Sequence, residues 1–561
     1  MKQKKGKKQR LSRNLSSSDG TILFCMVLLV GFVPLIIYNK IQRLVVPVID
    51  PMLNFETGGS VDYFTYYKSL ALILLTVSVL LLFLARIFLD KRDLKNTVLN
   101  IPLLTFVLAL CLSVVFSSYK TFALWGGHTR NLGVITYLSC AVILFCLINS
   151  KVDSQWERKI IFALCPLVVI NTVMLLLLYY GINLWDNSFF VALVAGNTGQ
   201  YLTESSRISG TLNHRNYLSG LGAILFALFV AKTVMSVNKS RFDYERGLYI
   251  LMAVFSAVIV FTSKALSGVV TIFFIIPLMI GLIFESREKN RLLNFAGITG
   301  LTILAWIILS LHDASFIREF IDDAGLLIGS AGFGFVFFGV YLLIKNWKKI
   351  NKRRVAQVGG ALLVLCLTVS FLFGPKALEK ATAEFNRTNT DLIMQRLEKD
   401  PFDFPEAKFG WGTGRVYIWQ STLKLVAEKP LFGYGFDTLS FEFNQGDPAK
   451  IAGLADADTI VDKPHNMYIN MLYGAGAVTF LAFIAIVVLV IWSALKALST
   501  DSEYRILIWP LFLGVLAYLY QGLFNDPVHG VEPIFWVLMG LTYAFADKAL
   551  SGEAKNLKSR Q

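Results

Sequence analysis

Apolar runs close to 20 residues long recur from one end of this chain to the other, and they leave it few ways to fold. A helix crosses the hydrocarbon core of a bilayer in about 20 residues, and within lipid its backbone polar groups must be paired inside the segment itself. Such runs fall at 21–38, 67–89, 99–117, 132–149, 161–181, 216–235, 247–263, 267–284, 294–311, 325–344, 357–375, 473–497, 507–524 and 534–548. Composition agrees, since 55% of the 561 residues are hydrophobic and only 16% are charged. The expected fold is an all-α polytopic membrane protein with about 14 transmembrane helices, within a range of about 12–14. The 247–263 and 267–284 runs are parted by little more than S-K-A-L, so a short turn must reverse the chain there.

Orientation follows from the basic residues. The clusters M-K-Q-K-K-G-K-K-Q-R, D-K-R-D-L-K, N-K-S-R-F-D-Y-E-R, E-S-R-E-K-N-R and N-W-K-K-I-N-K-R-R alternate with poorly basic connections, which assigns the clusters and both termini to the cytoplasm. The first apolar run lacks a small-residue cleavage site and is read as an uncleaved helix. Basic loops beside anionic membrane lipids account for the net charge of +15, so no nucleic-acid partner is expected. All six cysteines, Cys25, Cys111, Cys140, Cys146, Cys165 and Cys366, lie in apolar runs without metal-ligand spacing, which argues against both a disulfide framework and a zinc site. By contrast His128, His214, His312, His465 and His529 all fall in connections on the outer side. Chemistry is expected on that face.

The chain then divides into a basic cytoplasmic tail (1–20), eleven spans (21–375), a large extracytoplasmic loop (376–472), three further spans (473–548) and a second cytoplasmic tail (549–561). A connection as long as 376–472 must carry structure of its own. Within it A-L-E-K-A-T-A-E-F-N-R, D-L-I-M-Q-R-L-E-K and G-R-V-Y-I-W-Q-S-T-L-K-L-V-A-E-K have helical patterning. In the last of these Val416, Trp419, Leu423 and Val426 share a stripe. Gly412, Gly414, Pro430, Gly433 and Gly435 punctuate the helix ends and predict a tight aromatic turn around Tyr434 after Lys429.

Four outer stretches carry candidate chemistry. In G-W-G-T-G-R-V-Y-I-W, Arg415 opens a helix beside two glycines, where guanidinium and free backbone donors can meet an anion together; a solvated helix-start arginine is the plainer reading. In V-D-K-P-H-N-M-Y, Pro464 pins the backbone while His465, Asn466 and Tyr468 stand at the lip of an apolar helix. A neutral imidazole there can take the proton of a hydroxyl, or merely cap the helix. In S-R-I-S-G-T-L-N-H-R-N-Y, Arg207, His214 and Arg215 precede a helix N-terminus and suit a phosphate, although Arg215 can also anchor the helix at the headgroups. In W-G-G-H-T-R-N-L-G-V, Arg130 stands at the head of another span. Lys264 lies in the short outer turn F-T-S-K-A-L-S-G. Cations recurring at helix starts on the face where charge bias disfavours them suit a lipid-linked diphosphate, whose oxygens match forked guanidinium groups.

Taken together these residues resemble a family. G-R-V-Y-I-W, then E-K-P-L-F-G-Y-G-F-D-T, then P-H-N-M-Y-I-N-M-L-Y-G-A-G-A-V-T-F is similar in order and spacing to the C-terminal signature of the O-antigen ligase and polymerase superfamily. G-T-L-N-H-R-N-Y-L-S-G resembles its upstream motif and H-T-R-N-L-G-V its early arginine motif, so the likeness spreads over about 120–545 and is strongest at 410–480. The resemblance implies a multi-helix fold like that of GT-C-type membrane glycosyltransferases. It implies transfer of a glycan from a polyprenyl diphosphate carrier to a lipid or glycan acceptor, metal-independent, without cofactor, and inverting. It assigns His465 to the acceptor hydroxyl and Arg130, Arg215 and Arg415 to the diphosphate. Two departures stand out: Lys264 occupies a place where arginine is usual, and His214 one that is often not histidine.

Three other readings remain, one of them a non-catalytic scaffold in which the outer arginines and His465 can be replaced singly without consequence. Asp456 and Asp458 in A-D-A-D-T have the spacing of a metal-binding D-x-D, though two aspartates in a polar loop are usually solvated. A lipid-glycan transporter or flippase also has many spans and arginines facing a polar cavity, but it would place charge in mid-membrane, and here the polar groups gather in one outer cap.

Overall fold

The computed structural model describes residues 19–44, 58–346 and 414–551, apart from short internal stretches at 90, 92, 129, 197–208, 213, 237–243, 287–288, 314–323, 448–449, 451–453 and 455–459. Arg207, Asp456, Asp458, the run at 357–375 and the loop helices before 414 lie outside the described residues.

Helices follow the apolar runs because each run pairs its own backbone. They are α1 (Asp19–Leu35), α2 (Tyr66–Leu89), α3 (Asn100–Phe116), α4 (Lys120–Trp125), α5 (Val134–Asn149), α6 (Ser154–Tyr179), α7 (Ser188–Ala195), α8 (Arg215–Met235), α9 (Tyr244–Thr262), α10 (Leu266–Ser286), α11 (Lys289–His312), α12 (Ala324–Asn346), α13 (Arg415–Glu428), α14 (Leu439–Glu442), α15 (Met467–Leu498), α16 (Arg505–Gln521) and α17 (Glu532–Leu550). Among the described residues eight are long and apolar enough to cross a membrane, and α1, α3, α5 and α16 are shorter apolar helices. Every expected run except 357–375 coincides with a helix. The S-K-A-L turn does reverse the chain, with α9 ending at Thr262, α10 starting at Leu266 and Lys264 in a left-handed conformation (φ 50°).

The structure departs from the sequence reading at three points. A two-stranded antiparallel hairpin, β1 (Lys40–Leu44) against β2 (Gly58–Asp62), interrupts the all-α pattern, with Lys40 opposite Asp62 and Leu44 opposite Gly58. Its second strand is G-G-S-V-D, too poor in β-branched residues to announce itself. The loop helix α13 buries Tyr417, Ile418 and Thr422, whereas Leu423 of the expected stripe is 44% exposed; the loop's own small core selects one of two apolar faces. Charge also enters the apolar helices more than expected, as the buried pairs Arg86–Asp19 and Lys232–Glu157. Both pairs join the last turn of one helix to the first turn of another, where desolvation is least severe.

At the centre α8 is buried from Leu218 to Met235 and packs on α9, α10 and α16, while α17 packs on α5, α15 and α16. The loop locks onto this bundle through a broken helix. At Gly476 (φ 75°, ψ 177°) α15 leaves helical geometry, which frees backbone groups deep in the protein. The turn after α13 takes them up: Ala477 N–H donates to Pro430 O (2.7 Å), while Tyr434 and Gly435 N–H donate to Tyr473 O and Gly474 O (each 2.9 Å). Non-helical backbone at this depth is tolerated only where such partners exist. A Cβ on Gly476 would stand 2.2 Å from Leu431 O, so this position requires glycine.

Candidate active site

Four chain segments converge at one end of the bundle: the turn before α5, the start of α8, the start of α15 and the α16–α17 connection. Each helix directs its N-terminal N–H groups toward this end, which favours anions there.

The turn before α5 is fixed from two sides. Asp437, held at φ 57° just after the aromatic turn, accepts from Gly127 N–H and Leu132 N–H (both 3.0 Å) through Oδ2. Its Oδ1 lies 3.1 Å from Arg130 Nε. On the other side Asn131 Nδ2 donates to Asp62 Oδ2 (3.0 Å) and Thr65 Oγ1 (2.7 Å), and Asn131 O accepts from His529 Nε2 at 2.8 Å. Arg130 is therefore ion-paired through its Nε, a contact not aligned as a full hydrogen bond, while both terminal guanidinium nitrogens are buried with no hydrogen-bond partner among the described residues.

Each residue of P-H-N-x-Y has a distinct partner. Pro464 O accepts from the Trp419 indole of α13 at 2.7 Å. Asn466 caps α15, its Oδ1 accepting from Tyr468 and Ile469 N–H (3.0 and 3.1 Å) and its Nδ2 donating to Leu523 O (3.0 Å). Tyr468 donates to Leu519 O (2.7 Å). Between these anchors His465 is held at φ 52°, with Nδ1 3.1 Å from Oδ2 of the fully buried Asp526. That contact is close but not aligned as a full hydrogen bond, a common state in sites without substrate.

A cavity of about 250 Å³ opens beside these groups, its lining including Arg130, His214, Tyr217, Asp462 and Lys463 and also Asp62, Tyr63, Lys68, Trp185 and His529. Electrostatics ties it to His465 and Arg415. Burial acts to raise the Asp526 carboxyl, but His465, Arg130 and Lys463 outweigh it and hold the group at about 2. Burial likewise works against the Arg130 cation, yet Asp437, Asp526 and Asp462 keep it above its ordinary value. Lys463 is raised in the same way, against burial, by Tyr217 and Asp462. Burial lowers Arg415, and nearby Arg215 adds to the effect while Asp526 opposes it. Arg130 thus faces Asp437, Asp462 and Asp526, Lys463 faces Asp462 and Asp526, and Arg415 faces Asp526 with Arg215 close by.

Of the residues picked out from sequence, the structure brings Arg130, Arg215, Arg415, His214 and His465 together. Lys264 stands outside the cavity lining, paired with Asp313 and 5.6 Å over the Tyr179 ring. Asn466 and Tyr468 spend their polar atoms on the helix start and on α16. Tyr434 faces the loop's own core, stacked on Tyr473 at 5.2 Å and donating to Glu428. Sequence reasoning passed over Lys463, Asp526, Asp437 and His529 as site residues; F-N-D-P-V-H-G, polar between two apolar runs, was the available signal for two of them.

Two histidines, His529 buried and His214 half-buried, make this end sensitive to acid. Burial first, then Lys463, His465 and Arg215, lower His214 to about 4. Burial lowers His529 to about 4 despite the Asn131 carbonyl and Asp437. Both values lie below the ordinary imidazole value, so the unfolded chain binds these protons first, and stability present above about pH 6.5 is lost as pH falls toward 4. The thermal midpoint of the purified protein is expected to drop by several degrees between pH 7 and pH 4.5, and less in His529→Gln; equal slopes in both proteins would count against a buried neutral His529.

No curated protein matches the chain. Residues 320–484, which include α13, Lys463, His465, Asn466 and the first half of α15, match the family model described as O-Antigen ligase, so this stretch of a multi-pass membrane chain is similar to the O-antigen ligases.

Proposed function

We propose that this protein transfers a glycan from a polyprenyl diphosphate carrier to a hydroxyl of a lipid or glycan acceptor on the extracytoplasmic face, without a metal ion and with inversion at the anomeric carbon. One observation carries the reading: Arg130, ion-paired to Asp437 through Nε, keeps two buried and unpartnered guanidinium nitrogens beside a cavity that also holds Lys463, within the electrostatic reach of His465.

In this reading the diphosphate lies against Arg130 and Lys463, with Arg215 and Arg415 at its margin, while the prenyl tail runs between apolar helices. His465 takes the proton of the acceptor hydroxyl as that oxygen attacks the anomeric carbon. The new glycosidic C–O bond forms on the face opposite the breaking C–O bond to phosphate, whose electron pair leaves with the diphosphate. Negative charge therefore grows on the leaving group, and preorganised cations stabilise it more in the transition state than in the ground state. Asp526 acts through His465 as a positioning residue, orienting the ring and balancing the imidazolium that forms.

Transfer from a polyprenyl-diphosphate-linked glycan by the purified protein in EDTA tests this directly. Wild type is expected to be active, and Arg415→Ala to lose about 10²–10³-fold in turnover. Transfer that stops in EDTA and returns with a divalent ion would shift the site to Asp456 and Asp458.

A further inference from the structure

The cationic groups occupy only part of the cavity wall. Another part is built from elements that the diphosphate reading leaves without a task. Trp185 sits in the 3-10 turn Leu184–Asp186 between α6 and α7, and Tyr63 directly follows β2. Their rings meet edge to face at 5.2 Å, and Trp185 also meets Phe190 of α7 at 5.9 Å. The hairpin and α7 form one unit: Asn39 donates from its backbone N–H to Val194 O (3.1 Å) and from Nδ2 to Ala195 O (2.8 Å), and Tyr38 N–H donates to Tyr63 O (3.0 Å). A strand pair thus braces an aromatic wall against the site.

Two polar atoms of this region lack partners among the described residues: Trp185 Nε1 and His529 Nδ1. A carbonyl oxygen can only accept, so His529 must donate from Nε2 to Asn131 O, which leaves Nδ1 of the neutral ring as a bare acceptor. Lys68 and Asp62 of the same lining are already engaged, Lys68 with Thr211 O and Asp62 with backbone N–H groups, so the unpartnered atoms of this wall are one N–H donor and one lone-pair acceptor beside aromatic surface.

We infer that the region framed by Trp185, Tyr63 and His529 is a sugar subsite that reads the ring carried directly on the diphosphate. A pyranose supplies what this wall lacks: C–H faces to lie on an aromatic ring, a hydroxyl oxygen to accept from the indole, and a hydroxyl proton to donate to Nδ1. An ionised phosphate has no proton for Nδ1, and a prenyl chain would leave both atoms unpaired at the cost of their desolvation. At about 250 Å³ the cavity lies under the roughly 300–1,000 Å³ of pockets that enclose drug-sized ligands. It therefore reads a single ring and leaves the rest of the glycan outside. The inference rests on the diphosphate reading for the direction from which the sugar arrives.

Binding of four probes to the full-length protein in nanodiscs tests it: undecaprenol, undecaprenyl diphosphate, and that diphosphate carrying one hexose or one N-acetylhexosamine. Wild type should bind at least one glycosylated carrier more tightly than the bare diphosphate. Trp185→Ala should erase that preference, weakening the glycosylated carrier about tenfold and leaving bare carrier unchanged, while Trp185→Phe, which keeps a ring and loses the N–H, should fall between. Equal binding of bare and glycosylated carriers by wild type, or equal weakening of both in folded Trp185→Phe, overturns the subsite. Bare diphosphate binding no better than undecaprenol would remove the diphosphate reading instead, and the glycosylated-to-bare ratio would still decide the subsite.

Discussion

Replacing His465 by alanine is expected to lower turnover of glycan transfer by roughly 10²–10⁴-fold, the usual worth of a positioned proton acceptor, with folded yield and donor binding close to wild type. The reason is the separation of tasks at this site. His465 is absent from the cavity lining that holds Arg130 and Lys463 and meets the buried Asp526 through Nδ1. A carboxylate can only accept, so it selects the tautomer with the proton on Nδ1 and, in the proposed mechanism, leaves Nε2 to take a proton from the acceptor. Asp526→Asn should then reduce turnover by about 10–10³-fold, because an amide can present either its oxygen or its NH₂ group to the ring. The KM for the donor should not rise, since removing one carboxylate leaves Arg130, Arg415 and Lys463 more free to hold an anion. Measured kcat and donor KM for both variants decide the point: a His465→Ala protein within a few-fold of wild type, or an Asp526→Asn protein altered in KM alone, would end this assignment.

What the sequence disclosed and what it withheld divide along physical lines. The bilayer requires long, internally paired apolar segments, so helices at Tyr66–Leu89 or Arg215–Met235 could be read from hydropathy alone. Arginines at helix starts stood out because charge near lipid is costly enough to need a reason; Arg130 and Arg415 both act on Asp526, and Arg215 lies near Arg415. Carboxylates gave no comparable signal. Asp437 in G-Y-G-F-D-T and Asp526 in N-D-P-V look like turn residues, and only the meeting of segments some 300 residues apart, as in the Asp437 bond to Gly127, turns them into parts of a site. The α13 stripe failed for another reason. A short helix with apolar residues on two faces does not specify which face is buried, and the decision came from Tyr434, Leu439 and Phe443 of its own loop. The hairpin was missed because its second strand is held by backbone pairing and not by side-chain patterning.

The largest effect of all is expected at Arg130, where one side chain serves two partners. Nε faces Asp437, whose side chain is only 2% exposed, while the terminal nitrogens have no partner among the described residues and, in the proposed function, serve the diphosphate. Arg130→Ala should abolish transfer and also destabilise the fold by about 3–5 kcal/mol, because it leaves the Asp437 carboxylate buried without its cation. Such a loss alone would not distinguish catalysis from folding. Arg130→Lys does: its single ammonium can neutralise Asp437 or reach the diphosphate, but it has no second set of donors fixed in a fork. Thermal stability should therefore recover most of what alanine loses, while turnover stays about 10²–10³-fold below wild type. Asp437→Asn offers the converse. Its side-chain oxygen can still accept from Gly127 and Leu132 N–H, so the turn before α5 should keep its shape while Arg130 loses its nearest counter-charge and binds bare polyprenyl diphosphate at least as tightly as before. Lysine restoring both stability and turnover would mean that Arg130 acts as a point charge, and the forked contact with the diphosphate would have to be given up.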